Sequence, residues 1–310
     1  MDFSELQQDL TAARQLLANS QKFFTTETSF VAQMAAELEF FLTHADADFS
    51  FTQEDEFLAS LTQICKNHGQ QIGAATKEVG KLQYEVNFKH RDNLTALAND
   101  VLATKNIISD LAASYKLEAN FQAKPYHAAD VGSGMHLHLS LWSAGKNLFI
   151  KADHESEILL NSVAGLIELM PAALIFYVAG NEDFERFAAE FDIEQRDLRY
   201  KNHHTNAPTN LSWGINNRTT ALRVTASAHD LNSRRIENRV PAAAANIHLA
   251  LAATLLSSYY GIKNKLSPAP QIWGNAFDKQ YNLTSFPVNF ADAAAEYQYS
   301  ELKDLVEGLV

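Results

Sequence analysis

An α+β fold is what this sequence predicts, and three observations predict it. Some segments carry apolar residues at helical spacing, others alternate with period two, and the two kinds are mixed without a regular strand–helix–strand repeat. In chain order, residues 2–19 place Leu6, Leu10, Ala13, Leu16 and Leu17 on one face, an amphipathic helix. Residues 31–42 read as a strand and 43–52 as a polar loop. A helix over 53–68 carries Phe57, Leu58, Leu61, Cys65 and His68 at helical spacing and ends at Gly69. Residues 81–88 alternate as a strand, 92–115 form a long helix, and 117–123 form a strand. The cleanest alternation is 135–141. Helical patterns return over 155–167, around 171–178, and in the alanine-rich 241–257. No internal repeat, low-complexity linker or domain boundary interrupts the chain, so residues 1–310 are read as one domain, with 1–22 as an N-terminal helical segment.

Composition narrows the function classes. With 46% hydrophobic and 20% charged residues, the chain has the make-up of an ordered globular protein. Its net charge of −12 argues against non-specific nucleic-acid binding or attachment to an anionic membrane, so neither is expected as a partner. One cysteine, Cys65, excludes an intramolecular disulfide and fits a reducing cytoplasm. The N-terminal MDFSELQQDL lacks an apolar signal core, and the longest apolar run, 164–180, contains Glu168 and Pro171. The expectation is a soluble cytoplasmic protein.

Chemistry enters with Glu37 and Glu39, two apart in the apolar run Ala-Ala-Glu-Leu-Glu-Phe-Phe-Leu. In a strand, residues two apart share a face. Carboxylates about 7 Å apart repel by about 2.4 kcal/mol at an effective dielectric near 20, a cost that interposed cations relieve. Three more strands repeat the pattern. Gln83-Tyr84-Glu85-Val86-Asn87-Phe88 puts its polar residues on one face. Met135–Leu141 puts His136, His138 and Ser140 on one face and apolar residues on the other. In Arg235-Ile236-Glu237-Asn238-Arg239, a glutamate sits between two same-face arginines. Glu78 lies close enough to Glu85 for a turn to unite them. Each motif alone has a plain alternative: solvated surface carboxylates, water-facing histidines, or a surface ion-pair ladder contributing little. Gly132-Ser133-Gly134 lacks the third glycine of a dinucleotide fingerprint, and the chain has no Gly-x-x-x-x-Gly-Lys loop. A nucleotide would therefore need metals and arginines to hold its phosphates.

Five segments, in order, resemble those of glutamine synthetases. They are Glu-Leu-Glu-Phe-Phe-Leu, Gln-Tyr-Glu-Val-Asn-Phe, Gly-Ser-Gly-Met-His-Leu-His-Leu-Ser-Leu-Trp, Asn-Arg-Thr-Thr-Ala-Leu-Arg-Val and Arg-Arg-Ile-Glu-Asn-Arg; Gly261-Ile262-Lys263-Asn264-Lys265 is also similar. The likeness runs over about residues 25–270. It implies a curved antiparallel sheet forming a funnel-shaped site backed by helices. It also implies that Glu39, Glu78 and Glu85 ligate a metal near the substrate, and that Glu37, His136 and Glu237 ligate one at the nucleotide phosphates. His138 and Ser140 would extend toward the nucleotide, and Arg218, Arg223 and Arg235 would bind phosphate. Arg239 and Gly132 would hold the amino-acid substrate. The spacing of Arg218 and Arg223 puts them on opposite faces of a regular strand, which implies a bend or bulge. The resemblance further implies two or more Mg2+ or Mn2+ ions, ATP as co-substrate, glutamate with ammonium or an organic amine, and a homo-oligomer.

The chain also departs from that family pattern. An N-terminal β-grasp domain is not recognisable, since only 36 residues precede Glu37; a separate small subunit in a split enzyme is one expectation that follows. The flap reads His204-Thr205-Asn206-Ala207-Pro208, with Asn206 where the family has a glutamate. Asparagine is neither a base nor a charge. The arginine before the flap has Arg196 and Arg199 as candidates in the charged stretch 181–206. Val131 replaces an asparagine before Gly132, and Gly80-Lys81-Leu82 stands where Gly-Pro-Gly is usual. The leading expectation is an ATP-dependent ligase joining the γ-carboxylate of glutamate to an amine through an acyl phosphate. The alternative is a non-catalytic relative that binds nucleotide and serves regulation or assembly. Phosphoryl transfer to a guanidino group on a related fold is a third reading.

Overall fold

The computed structural model describes residues 3–43, 51–126, 131–151, 155–187, 207–225 and 230–310. Its elements run α1 (Phe3–Gln8), α2 (Leu10–Thr28), β1 (Val31–Thr43), α3 (Phe51–Asn67), β2 (Ile72–Lys77), β3 (Gln83–Phe88), α4 (Leu94–Ser114), β4 (Glu118–Asn120), β5 (Met135–Ser143) and β6 (Lys146–Asn147). These are followed by α5 (Glu157–Glu168), α6 (Met170–Tyr177), β7 (Trp213–Ile215), β8 (Leu222–Val224), β9 (Ile236–Asn238), α7 (Ile247–Lys263), α8 (Phe290–Gln298) and α9 (Glu301–Glu307).

The nine strands among the described residues form one sheet of order β2-β3-β1-β5-β9-β8-β7, with β4 also on β1 and β6 also on β5. Every pairing is antiparallel except β7 with β8, which is parallel, so the sheet is mixed rather than antiparallel throughout. The register sets the functional face. Glu39 pairs with Glu85, and Glu37 lies between Asn87 and His136. His138 pairs with Glu237, which in turn pairs with Arg223. Directly paired residues share a face, so all of these project together. The other face carries Leu38, Phe40, Tyr84, Val86, Leu137, Leu139, Leu222, Val224 and Ile236, all buried in the core.

Helices back the apolar face. α7 is apolar on all sides and buried over most of its length, as a central core helix must be. α2, α4, α5 and α6 all pack against it. Polar side chains cap the ends: Asp9 accepts from Thr11 and Ala12 N–H at α2, Asn93 from Ala96 N–H at α4, and Asn246 from His248 N–H at α7. No single described helix is long and apolar enough to cross a membrane. α5 and α6 together have that composition but are bent by 74°.

Several boundaries differ from the sequence reading. The N-terminal helix is two helices, broken where Asp9 caps α2. β3 begins at Gln83, because residues 78–82 form a turn in which Leu82 has φ 56°. β2 was not expected; its exposed Gly-Ala-Ala-Thr stretch has no apolar alternation to reveal it. The 241–257 helix starts instead at Ile247, and α8 and α9 at the C-terminus were unforeseen. Arg218 needs no bulge, since it lies in the turn between β7 and β8 rather than on a strand.

Candidate active site

The polar face of the sheet gathers six acidic or imidazole side chains. Ligand atoms of Glu37, His136 and Glu237 lie within 4.8 Å of one another, and so do those of Glu39, Glu85 and His136. His136 joins the two groups. Its Nδ1 is 3.4 Å from Glu37 Oε2 and 3.7 Å from Glu237 Oε1, while Nε2 is 3.9 Å from Glu39 Oε1. Glu78 is not in either close group, but its charge is felt by Glu85, and Glu39 in turn acts on Glu78.

Each carboxylate is held differently. Glu39 Oε2 accepts the Gly134 N–H at 2.7 Å, tying β1 to the glycine loop. Asn87 donates to Glu85 Oε1 at 2.7 Å. Glu37 Oε1 is 2.8 Å from His138 Nε2. Glu237, wholly buried, has Oε1 at 2.7 Å from Arg239 Nη1 and Oε2 at 2.6 Å from Arg223 Nη1. A cation that takes Glu237 as ligand must share its oxygens with these guanidiniums. Arg235 donates from Nε to His138 Nδ1 at 2.9 Å, so the hydrogen on His138 is assigned to Nε2, facing Glu37. Both His138 nitrogens are thereby engaged by protein, which makes His138 a brace rather than a free ligand. Ser140 Oγ accepts from Trp142 Nε1 at 2.9 Å farther along β5.

The titration behaviour follows from burial and neighbours. Burial, then the Glu37 charge, pushes Glu85 up to about 8. Burial and Glu39 likewise raise Glu78. Burial also opposes ionisation of Glu37 and Glu237, but their partners outweigh it. Hydrogen bonds from His136 and His138 hold Glu37 far below the usual carboxylate range, and Arg239, His138, His136 and Arg223 hold Glu237 at about 2. His136 is raised: burial disfavours its charge, yet Glu37 and Glu39 favour it more. Crowded carboxylates that resist losing their protons are a site short of positive charge. Oxygen-rich clusters with one imidazole suit Mg2+ or Mn2+, so the residues present fit such ions.

Gly132 and Arg218 are the remaining expected residues that the structure describes. Gly132 has no room for a side chain: a Cβ would lie 2.6 Å from Ala123 O. Arg218 is exposed in its turn, near enough to Arg223 to disfavour that guanidinium's charge. Arg196, Arg199 and Asn206 lie outside the described residues. The sequence reading missed Arg186, which ends a 3-10 turn at Asn181–Arg186 and is 2% exposed. It donates from Nη1 to Val240 O at 2.9 Å and Pro241 O at 3.2 Å, and Glu39 helps to retain its charge. It also missed Asn87 and Gln83, although both share the polar face of β3 with Glu85. His90, with its ring 5.9 Å from that of His138, gave no signal beyond lying two residues past β3.

Comparison with known proteins gives a family match. A family model described as the catalytic domain of glutamine synthetase matches residues 47–306. Glu37 and Glu39 precede that stretch and reach the site through the register of β1. The chain is 33% identical over 225 residues to gamma-glutamylputrescine synthetase PuuA of Escherichia coli (strain K12), covering 72% of this chain and 44% of that protein. It is 31% identical over 268 residues to glutamate–isopropylamine ligase of a Pseudomonas species, covering 85% and 54%. A glutamine synthetase of Pyrococcus horikoshii is 31% identical over 227 residues, covering 71% and 47%. The chain spans about half the length of these curated relatives. Among solved structures, a GmaS/ADP complex superposes with a TM-score of 0.81 at 23% identity, covering 96% of this chain and 70% of that one, a likeness of fold.

Proposed function

The chain belongs to the glutamine synthetase family through its catalytic domain, and from that premise we propose that it is an ATP-dependent ligase joining the γ-carboxylate of glutamate to an amine. The observation that carries the reading is the convergence of Glu37, Glu39, Glu85, His136 and Glu237 on one sheet face, with Glu78 beside them and Arg223, Arg235 and Arg239 around them. Mg2+ or Mn2+ held by these carboxylates and His136 would neutralise phosphate oxygens of ATP. In this reading Arg223 and Arg235, with Arg218 from the turn, stabilise charge on the transferring phosphoryl group. Arg239 and Gly132 hold glutamate, and His138 and Ser140 line the nucleotide side. A γ-carboxylate oxygen attacks the γ-phosphorus as ADP leaves; the amine nitrogen then attacks the acyl carbon, phosphate departs, and the nitrogen gives up a proton. No side-chain nucleophile is required.

An organic amine is favoured over ammonium because Asn206 stands where a flap glutamate would otherwise receive an ammonium proton. Two of the relatives are named for amine substrates, which supports the same choice. Phosphate release that depends on ATP and glutamate, measured across ammonium and a panel of primary amines with Mg2+ or Mn2+, tests the proposal. Turnover with at least one amine is expected; none with any amine would defeat it. Asn206 also favours a second reading, a relative that binds nucleotide without turning over. Calorimetry showing metal-dependent ATP binding with no phosphate release would select it. Homo-oligomerisation and a cytoplasmic location belong to the same proposal, and size-exclusion chromatography tests the first.

A further inference from the structure

Gln83 opens β3 on the same face as Glu85 and Asn87, and it is only 3% exposed. Four polar groups of this one residue are engaged. Its backbone carbonyl accepts from Glu78 N–H at 2.8 Å and its N–H donates to Gly80 O at 3.1 Å, which closes the turn carrying Glu78. Its side-chain Oε1 accepts the Gly80 N–H at 2.9 Å, inside the same turn. Its Nε2 points the other way and donates to Gly132 O at 3.1 Å. The carboxamide thus ties the Glu78 turn to the glycine loop, whose Gly134 N–H is in turn held by Glu39.

Space is tight at both ends of this link. A Cβ on Gly80 would lie 2.7 Å from Gln83 Oε1 and 2.8 Å from Val131 Cγ2. The chemistry also favours an amide over an acid. Opposite ends of the group must accept from one backbone and donate to another, which a carboxylate cannot do.

We propose that Gln83 is a positioning residue. By clamping the Glu78 turn to the Gly132 loop, it sets the affinity of the acidic cluster for a divalent cation and the affinity of the adjacent loop for the amino-acid substrate. This rests on the ligase reading above, and it adds a residue that touches neither the reacting atoms nor the metal. Groups that orient metal ligands change metal affinity by about 10–100-fold when removed.

Two variants test it. Gln83→Met keeps the length and removes both side-chain hydrogen bonds; Gln83→Glu keeps the acceptor for Gly80 and loses the donor to Gly132. Mn2+ affinity is read by electron paramagnetic resonance without nucleotide, alongside the thermal midpoint and the KM values for glutamate and ATP. Expected for Gln83→Met is Mn2+ binding weakened by about tenfold or more, a comparable rise in glutamate KM and a much smaller change in ATP KM. Gln83→Glu should show the same rise in glutamate KM, while its added negative charge offsets part of the loss of Mn2+ affinity; glutamate KM therefore carries the comparison if Gln83→Met does not fold. Wild-type Mn2+ affinity and glutamate KM in a folded variant would overturn the role of Gln83, as would losses matching only the unfolded fraction. A wild-type protein that binds no Mn2+ would instead remove the ligase reading, and this inference with it.

Discussion

Arg239 Nη1 lies 2.7 Å from Glu237 Oε1, and neither residue is more than 1% exposed. Two residues apart along one extended segment, they form a charge pair sealed inside the sheet, with Arg223 on the second carboxylate oxygen. Such a pair is worth little against an apolar substitute, but removing one partner leaves a buried charge uncompensated. Glu237→Ala removes the carboxylate that both guanidiniums share. It should lower unfolding free energy by on the order of 3–5 kcal/mol, measured by urea denaturation, and weaken divalent-cation binding as well.

Metal ions should stabilise the protein against heat. Glu85 and Glu78 are pushed up by burial and by neighbouring carboxylates, so folding concentrates negative charge that a cation relieves. A ligand at about 100 times its Kd adds about 2.7 kcal/mol. Mn2+ should therefore raise Tm by several degrees and EDTA should reverse the rise. Glu85→Gln should blunt the response, as differential scanning fluorimetry can show.

His248 supplies a pH dependence away from the site. It is 1% exposed in the first turn of α7, and neither ring nitrogen has a hydrogen-bond partner among the described residues. Burial, with Arg14 nearby, lowers it to about 4 from 6.5. The native state thus stays unprotonated at pH values where the unfolded chain takes a proton. The stability contribution is present above 6.5 and is lost as pH falls toward about 4, with a limit on the order of 3 kcal/mol. His248→Met should flatten the decline in unfolding free energy between pH 6.5 and 4 relative to wild type.

Two glycines let α5 and α7 touch backbone to backbone. A Cβ on Gly261 would stand 2.0 Å from Asn161 O, and one on Gly165 would stand 2.2 Å from Ser257 O. Backbone cannot yield as a flexible side chain can, so the helices must separate. Gly165→Ala and Gly261→Ala should each cost about 1–3 kcal/mol, seen as a lower Tm. Activity per folded molecule should persist, because neither helix carries a residue of the polar face.

Period two made most of the centre legible in the sequence. A strand that must bury Leu38 and Phe40 has no choice but to present Glu37 and Glu39 together, and the same logic sets His136 beside His138 and Arg235 beside Glu237. Which strands neighbour one another is set by long-range pairing, which local alternation does not encode. Arg186 escaped notice because it comes from a short 3-10 turn and reaches the site by threading under the Val240 and Pro241 carbonyls. The same contacts explain the misplaced start of α7. Residues 241–246 have the alanine content of a helix, but Pro241 O and Ala242 N–H are taken by Arg186, Met135 and Tyr177, so the helix waits for the Asn246 cap. Tertiary demand overrode propensity there.

Gly134 lies against both Arg186 and His136, and substituting it offers a selective perturbation. A Cβ at this position would lie 2.7 Å from Arg186 Nη2 and 2.9 Å from His136 Nε2. Both contacts are with side-chain ends, so Gly134→Ala can be accommodated by moving those two groups while the sheet stays intact. His136 supplies a candidate ligand to both carboxylate clusters, and a displacement of a few tenths of an ångström alters each together. The expected result is a Tm lowered by only a few degrees, with Mn2+ affinity reduced by about tenfold or more, the scale seen when a metal ligand loses its orientation. Paired thermal melts and Mn2+ titrations check this. A variant that melts far below wild type while its folded fraction binds Mn2+ normally would show that Gly134 is needed for chain packing alone and not for placing His136.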